Sequence, residues 1–261
     1  MEGILQGPGE GETLFSGRIV LRSALDELTI TETRYTRAQP GATPHFHREH
    51  ADSFYVLEGE LGLLVDDEEH VLGPGAAASV PPGVVHGFRS LSPARFLNFH
   101  TPDGRFAENL RARDRGEEGG FDSFEAAAGS GLPGSDAVVL GPGEGEELYG
   151  NYRVATIKVG RKELALIEFD LEPSFGGPDI HSHTDHTDAF YVLGGSIEVQ
   201  IGNERIVAGA GSFAAAPPGV EHTFTSGPDG GRMLNIHAPS TDFHERLRAM
   251  SEVRSPATSQ S

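Results

Sequence analysis

The chain carries the same pattern twice, and this duplication limits the fold more than any other feature. Residues 45–52 contain three histidines and one aspartate, and they run into an apolar, strand-like segment that ends in a glycine. Residues 181–188 repeat both features at an offset of 136 residues. A second pattern, Pro-Pro-Gly-Val-x-His, ends at His86 and again at His222. This period is too long for a solenoid repeat, so the sequence predicts two related domains.

The repeat also predicts the domain boundaries. The first domain is expected to span residues 1–112 and the second residues 136–250. A charged segment rich in glycine and alanine, residues 113–135, is predicted to be the linker, with a short helix near residues 124–128. The polar end, residues 251–261, is expected to be a disordered tail.

Short apolar runs separated by turn residues predict that each domain is all-β. The 261 residues include 35 glycines and 17 prolines, which favour short strands and tight turns over long helices. After the last strand of the first repeat, Phe106 and Leu110 lie four residues apart, which predicts a short helix. The second repeat ends in a similar segment. Each half is therefore expected to be a sandwich or barrel followed by one short helix.

Charge and hydropathy limit the partners. The formal net charge is −19, which disfavours nucleic acids and anionic membranes. No apolar run approaches the roughly 20 residues that a membrane-spanning helix needs, and the first residues lack the features of a signal peptide. We therefore expect a cytoplasmic protein whose partner is a small molecule.

The histidine clusters predict metal sites without sulfur ligands, because the chain has no cysteine. Alternate residues of a strand share a face, so His45 and His47 present two imidazoles to one side. A turn can bring Asp52 back toward them, and His86 follows a turn that fixes the chain direction. Three imidazoles and a carboxylate suit Fe, Mn, Ni, Cu, Co or Zn and leave positions open for water, substrate or dioxygen. The equivalent residues of the second repeat are His181, His183, Asp188 and His222.

The spacing of these residues resembles the two-part motif of the cupin superfamily. The first copy has Gly41, His45-x-His47, a carboxylate five residues later, Val56-Leu57-x-Gly59, and Gly75-x5-Pro81-x-Gly83-x2-His86. The second copy has His181-x-His183, Asp188, Val192-Leu193-x-Gly195, and Gly211-x5-Pro217-x-Gly219-x2-His222.

This resemblance implies a bicupin. Its fold would be two double-stranded β-helix (jelly-roll, RmlC-like) barrels in tandem, each with a short C-terminal helix and up to one divalent transition metal. The arrangement is most similar to quercetin 2,3-dioxygenase-like bicupins. That similarity implies a metal-dependent dioxygenase that acts with dioxygen on a small enol, flavonol or aromatic substrate. Barrels of this kind pair through their edge strands, so a homodimer is expected.

Two features depart from the motif and supply the candidate catalytic residues. The family usually has glutamate where this chain has Asp52 and Asp188, and the shorter aspartate is expected to act as a ligand or as a base. His50 and His186 follow the second histidine of each cluster by three residues. Three roles are open for each of these histidines. It is a loop residue hydrogen-bonded to a neighbour, a further metal ligand, or a base in the substrate pocket.

One further pair per repeat is placed near the metal. Asn98 and His100 lie two residues apart on a predicted strand, as do Asn235 and His237. We expect each pair to orient a ligand or contact the substrate.

Two other functional classes fit the same residues. One is a metal-assisted isomerase, decarboxylase or hydrolase acting on a small polar acid. The other is a non-catalytic small-molecule-binding cupin. Dependence of turnover on dioxygen would separate the dioxygenase from both.

Overall fold

The described part of the chain is mostly β-strand, with two short α-helices and one 3-10 turn at Phe15–Gly17. A computed structural model describes residues 2–130 and 136–251. The helices are α1 (Phe106–Asp114) and α2 (Phe243–Met250). The strands are β1 (Ile4–Gln6), β2 (Glu12–Leu14), β3 (Ile19–Leu25), β4 (Leu28–Tyr35), β5 (Gln39–Pro40), β6 (His45–Phe46), β7 (Ala51–Glu58), β8 (Leu61–Val65), β9 (Glu68–Leu72), β10 (Ala77–Val80), β11 (His86–Ser90), β12 (Ala94–Thr101), β13 (Phe124–Glu125), β14 (Val138–Leu140), β15 (Glu146–Gly150), β16 (Arg153–Gly160), β17 (Ala165–Leu171), β18 (Thr187–Ile201), β19 (Glu204–Gly209), β20 (Phe213–Ala216) and β21 (His222–Ala238).

The N-terminal unit, residues 9–144, contains two sheets. The larger sheet has the order β14-β10-β7-β12-β4-β3-β2, and the smaller has β13-β6-β11-β8-β9 with β5 paired to β11. Strand β7 is buried on both faces, and alternation places Asp52, Phe54 and Val56 on the same one. Phe54 and Val56 belong to the hydrophobic core, so the Asp52 carboxylate lies in line with the apolar interior.

The C-terminal unit consists of the described parts of residues 1–8 and 145–261. Its strands follow the order β1-β20-β18-β21-β17-β16-β15, with β19 paired to β18. The long strands β18 and β21 each take the place of two strands of the N-terminal unit. Their pairing shifts register between Val192 and Gly194 and again between Gly195 and Ile197. Gly195 has a φ of 66°, a conformation that glycine adopts without strain.

One short strand of each repeat pairs outside its own repeat. Strand β1 begins the first repeat, yet it pairs with β20 and places Ile4 opposite Ala215. Strand β14 begins the second repeat, yet it pairs with β10 and places Ala77 opposite Leu140. The compact units therefore differ from the predicted boundaries at these two strands, because the boundaries followed the repeat and not the pairing.

The segment predicted as a linker contributes to the N-terminal unit. The short helix predicted near residues 124–128 is wrong, because Phe124 and Glu125 form β13 and pair with Phe46 and His45. The two helices predicted after the repeats are confirmed as α1 and α2. The predicted tail lies outside the described residues, apart from Ser251. No helix of the described ranges has the length and apolar character needed to span a membrane.

Candidate metal centres

The N-terminal unit gathers the four predicted ligands of the first repeat into one buried group. His45 in β6 lies opposite His86 in β11, and Asp52 in β7 faces them from the other sheet. The Oδ2 atom of Asp52 is 3.2 Å from Nε2 of His86 and 3.9 Å from Nε2 of His47. The ligand atoms of all four residues lie within 4.8 Å of one another.

Hydrogen bonds fix the proton of each ring on the side away from this group. Nδ1 of His45 donates to the carbonyl of Thr43 at 2.8 Å, and Nδ1 of His86 donates to that of Val84 at 3.0 Å. Nδ1 of His47 donates to the carbonyl of Asp122. A carbonyl only accepts hydrogen bonds, so Nδ1 carries a proton in each ring and Nε2 is the atom left for coordination. An ionised carboxylate also only accepts, so Nε2 of His86 donates a hydrogen bond to Oδ2 of Asp52, and a bound cation would take the place of that proton. All three Nε2 atoms face the Asp52 carboxylate.

The ring positions fit a single metal ion. With metal–nitrogen bonds of about 2.1 Å, imidazoles at right angles on one ion have ring centroids about 4.6 Å apart. The observed separations are 4.8 Å for His45 and His47, 4.4 Å for His45 and His86, and 5.0 Å for His47 and His86. Nε2 of His47 is buried and has no hydrogen-bond partner within the described ranges. A bound cation would satisfy it.

The C-terminal unit reproduces this arrangement. Oδ2 of Asp188 is 3.1 Å from Nε2 of His222 and 3.7 Å from Nε2 of His183. The ring centroids of His181, His183 and His222 are 4.9, 4.4 and 5.1 Å apart. Nε2 of His183 is buried and again lacks a hydrogen-bond partner in the described part of the chain. Both repeats therefore place their four predicted ligands around one point.

In each unit an asparagine and a histidine of one strand, β12 or β21, hold the carboxylate. Nδ2 of Asn98 donates to Oδ1 of Asp52, and Nε2 of His100 donates to Oδ1 of Asn98 at 3.0 Å. Oδ1 of Asp52 is thus occupied, and Oδ2 is directed to the histidines. Asn235 and His237 make the same bonds around Asp188.

The electrostatics favour the protonation states that bind metal. Burial raises the pKa of Asp52, but His100, His47 and His86 lower it more, so it lies well below its usual range. Burial and the neighbouring His86 and His47 lower the pKa of His45 to about 4. At neutral pH the group therefore combines an ionised carboxylate with a neutral imidazole, the forms that coordinate cations.

His50 and His186 do not point at the same ion as the other rings. The His50 ring stacks on His47 with centroids 3.9 Å apart and an interplanar angle of 27°, and His186 stacks on His183 in the same way. Two imidazole rings that lie nearly face to face direct their nitrogen lone pairs in parallel, and not toward a common point. His47, His50 and His100 do form a second close group, but this stacking disfavours convergence on one ion.

Sequence reasoning missed one contribution to the N-terminal centre, which comes from the segment taken as a linker. We call residues 119–125 the strap. Oδ2 of Asp122 accepts hydrogen bonds from the backbone N–H of Arg48 at 2.8 Å and of Glu49 at 2.6 Å. The Phe121 ring lies 5.6 Å from that of His47. The only signal in the sequence was the motif Phe121-Asp122-Ser123-Phe124, aromatic residues within an otherwise polar and small-residue stretch.

The fold and the paired clusters define a bicupin, and comparison with known proteins agrees. The model of the cupin domain matches residues 34–100 and 167–237, so the chain belongs to the cupin family. It is 26% identical over 274 residues to quercetin 2,3-dioxygenase from Bacillus subtilis (strain 168), covering 88% of this chain and 81% of the relative. The predictions of the family and of its tandem jelly-roll fold are confirmed.

Solved structures support the same fold. The protein YlbA from E. coli aligns over 91% of both chains with a TM-score of 0.66 and 11% identity. Salicylate 1,2-dioxygenase from Pseudoaminobacter salicylatoxidans aligns over 87% of this chain and 75% of its own, with a TM-score of 0.60 and 13% identity. A variant of oxalate decarboxylase from Bacillus subtilis aligns over 82% and 69%, with a TM-score of 0.54 and 19% identity.

Proposed function

We propose that this bicupin is a metal-dependent dioxygenase that acts on a small enol, flavonol or aromatic substrate. The observation that carries the proposal is the pair of centres, each with three imidazole groups gathered around one carboxylate whose pKa lies below its usual range. Four protein ligands leave one or two positions open on a five- or six-coordinate ion, which a catalytic metal requires. The similarity to quercetin 2,3-dioxygenase over most of both chains supports this chemistry.

The ligands proposed for each centre are its three converging histidines and its aspartate. A bound Fe, Mn, Ni, Cu or Zn ion would supply a Lewis acid and open positions for a substrate oxygen and for dioxygen. The proposed ligands are His45, His47, Asp52 and His86 in one centre, and His181, His183, Asp188 and His222 in the other.

The aspartates are also the proposed proton acceptors. In each centre Oδ1 is held by an asparagine, so Oδ2 is the carboxylate atom that faces the histidine rings. In a centre that admits substrate, a hydroxyl bound among those rings would lie within reach of Oδ2 of its aspartate, Asp52 or Asp188. An ionised carboxylate there can accept the hydroxyl proton and leave the substrate as an electron-rich anion.

His50 and His186 are proposed as positioning residues. Nδ1 of His50 donates to Oδ2 of Asp122 at 3.2 Å, and Nδ1 of His186 donates to Oδ1 of Asp185 at 2.9 Å. Each ring is held by a carboxylate and stacks on the second histidine of its cluster. We therefore assign these residues to holding His47 and His183 in orientation, and not to coordination.

Oxygen uptake tests this function. Protein loaded with Fe²⁺, Mn²⁺, Ni²⁺ or Cu²⁺ should bind close to two equivalents and consume quercetin or a simpler enediol with matching uptake of dioxygen. The reaction should stop without air or with a chelator. Metal-loaded protein that converts a small acid such as oxalate equally well without dioxygen would support the isomerase, decarboxylase or hydrolase class instead. Protein that stays metal-free after every reconstitution would contradict both classes of metal-dependent enzyme.

The cytoplasmic location and the homodimer stay predictions.

A further inference from the structure

We propose that the strap closes the N-terminal centre to substrate, so that the C-terminal centre is the one that binds the small molecule. This inference rests on the proposed function, because it takes both centres to bind metal. It assigns different roles to two centres whose proposed ligands are the same, and it depends on what covers them.

The strap is fixed to the strand that carries the first ligand. Phe124 and Glu125 form β13 and pair with Phe46 and His45 of β6. The Phe124 ring stacks on Phe46 with centroids 5.5 Å apart, and the Arg48 guanidinium lies 3.9 Å above the Phe124 ring. Strand pairing, stacking and a cation–π contact therefore hold the end of the strap in place.

Asp122 ties the middle of the strap to the centre itself. Its side chain accepts three hydrogen bonds, from the backbone N–H groups of Arg48 and Glu49 and from Nδ1 of His50. Its backbone carbonyl accepts the hydrogen bond from Nδ1 of His47, a proposed ligand. The strap thus bonds to the back of a ligand ring and to the ring stacked on it.

Phe121 completes the cover. Its ring lies 5.6 Å from His47, 6.0 Å from His50, 6.2 Å from His100 and 5.3 Å from Phe106 of helix α1. An aromatic ring in this position excludes water from the face of the centre that the strap crosses. The result is that only 2% of the His47 side chain is exposed.

Within residues 2–130 and 136–251, the C-terminal centre is more open. The side chain of His183, the counterpart of His47, is 18% exposed. The carboxylate that holds His186 comes from the neighbouring Asp185, whose side chain is 66% exposed. Within the described residues the rings that contact His183 are all histidines.

Binding of 4-nitrocatechol, a coloured chelating probe, tests the inference on full-length protein loaded with Ni²⁺ and kept anaerobic. Metal content is measured first, and two equivalents establish that both centres bind metal. The wild type should then bind one probe per chain. His183→Ala should lose one metal and the probe, whereas His47→Ala should lose one metal and keep the probe.

Opening the strap should expose the second centre. Asp122→Ala and Phe121→Ala should keep two metal ions and bind two probes per chain. Asp185→Ala is the matched control, because it removes a carboxylate from the equivalent histidine without touching the strap, and it should still bind one probe.

Competition with a chelator gives a second measure of how the strap covers the centre. Metal should leave the wild type in two phases. Asp122→Ala should accelerate the slow phase by at least about tenfold, because it removes three hydrogen bonds to a charged carboxylate and one such bond already gives that factor.

The outcomes separate this inference from the function it rests on. Two probes per chain in the wild type, or loss of the probe in His47→Ala and not in His183→Ala, would overturn the role of the strap while the metal centres stand. Failure to bind metal would overturn the proposed function itself. If Phe121→Ala does not fold, the two-phase metal release of the wild type and of Asp122→Ala decides.

Discussion

The two candidate metal centres have the same donor residues and differ in what surrounds them. Ring separations agree within 0.1 Å between the repeats, for example 4.8 Å for His45 and His47 against 4.9 Å for His181 and His183. The carboxylate on the stacked histidine, however, comes from Asp122 of the strap in one centre and from the adjacent Asp185 in the other. Asp52, His86, Asp188 and His222 lie in paired strands, and His45 and His181 pair with His86 and His222, so register fixes these donors. The cover comes from outside the repeated pattern, so it is free to differ.

The largest effect should come from removing one ligand of each centre. His183→Ala should reduce dioxygen-dependent turnover by about 10³-fold or more, because loss of the metal removes the charge that stabilises the transition state. His47→Ala, the matched variant, should reduce turnover less than about threefold if the strap excludes substrate. Steady-state kinetics with metal content determined on the same samples is the measurement. Equal losses in the two variants would remove the functional difference between the centres.

Acid should destabilise the metal-free N-terminal centre more than the C-terminal one. The pKa of His45 is lowered from 6.5 to about 4 by burial, so the unfolded chain binds a proton between these values and the folded chain does not. Stability is therefore greatest above pH 6.5 and falls as the pH drops toward 4, by about 3 kcal/mol for the full shift. The pKa of the more exposed His181 is lowered as well.

Urea unfolding of the metal-free protein at pH 7 and pH 5 measures this difference. His45→Gln should flatten the dependence of the unfolding free energy on pH, and His181→Gln should flatten it less. A larger change for His181→Gln would contradict the assignment of the difference to burial.

The asparagines should matter equally in both centres. Asn98→Ala and Asn235→Ala each leave Oδ1 of a buried aspartate without its donor, which frees the carboxylate to turn. Loss of such a supporting group weakens metal binding by about 10- to 100-fold. Isothermal titration with Ni²⁺ should show one weakened site of two in either variant. An unequal effect would show that the carboxylates, and not only the covers, have diverged.

The smallest expected effect comes from changing the carboxylates that hold the stacked histidines His50 and His186. Asp122→Asn should cost about 1.5 kcal/mol of unfolding free energy, because it weakens hydrogen bonds to a mostly buried carboxylate. Asp185→Asn should leave stability unchanged within error, since that carboxylate is exposed and its interaction is screened by solvent. Thermal unfolding of both variants against the wild type is sufficient. A loss of stability in Asp185→Asn as large as that in Asp122→Asn would contradict this assignment.

The sequence was sufficient to predict which residues gather in each group, because the spacing of His45 and His47 and the Pro-Pro-Gly turn before His86 restrict where these side chains can point. It also placed Asn98 and His100 on one strand face. The contacts of Phe121 and Asp122 with residues 47–50 follow no period and join positions more than seventy residues apart in sequence, as in the bond between Asp122 and His47. The sequence also could not predict which strand β1 pairs with, because a three-residue apolar segment can pair with many sheet edges.

The pairing of β1 with β20 has a consequence for how the protein is made. Ile4 leaves the ribosome early, but its partner Ala215 is synthesised about 210 residues later. At about 5 to 20 residues per second, this segment waits roughly 10 to 40 s before its sheet can be completed. Strand β14, in contrast, emerges after β10, so the N-terminal unit can be completed while the chain is still growing. We therefore expect the pairing of β1 with β20 to be a late step of folding.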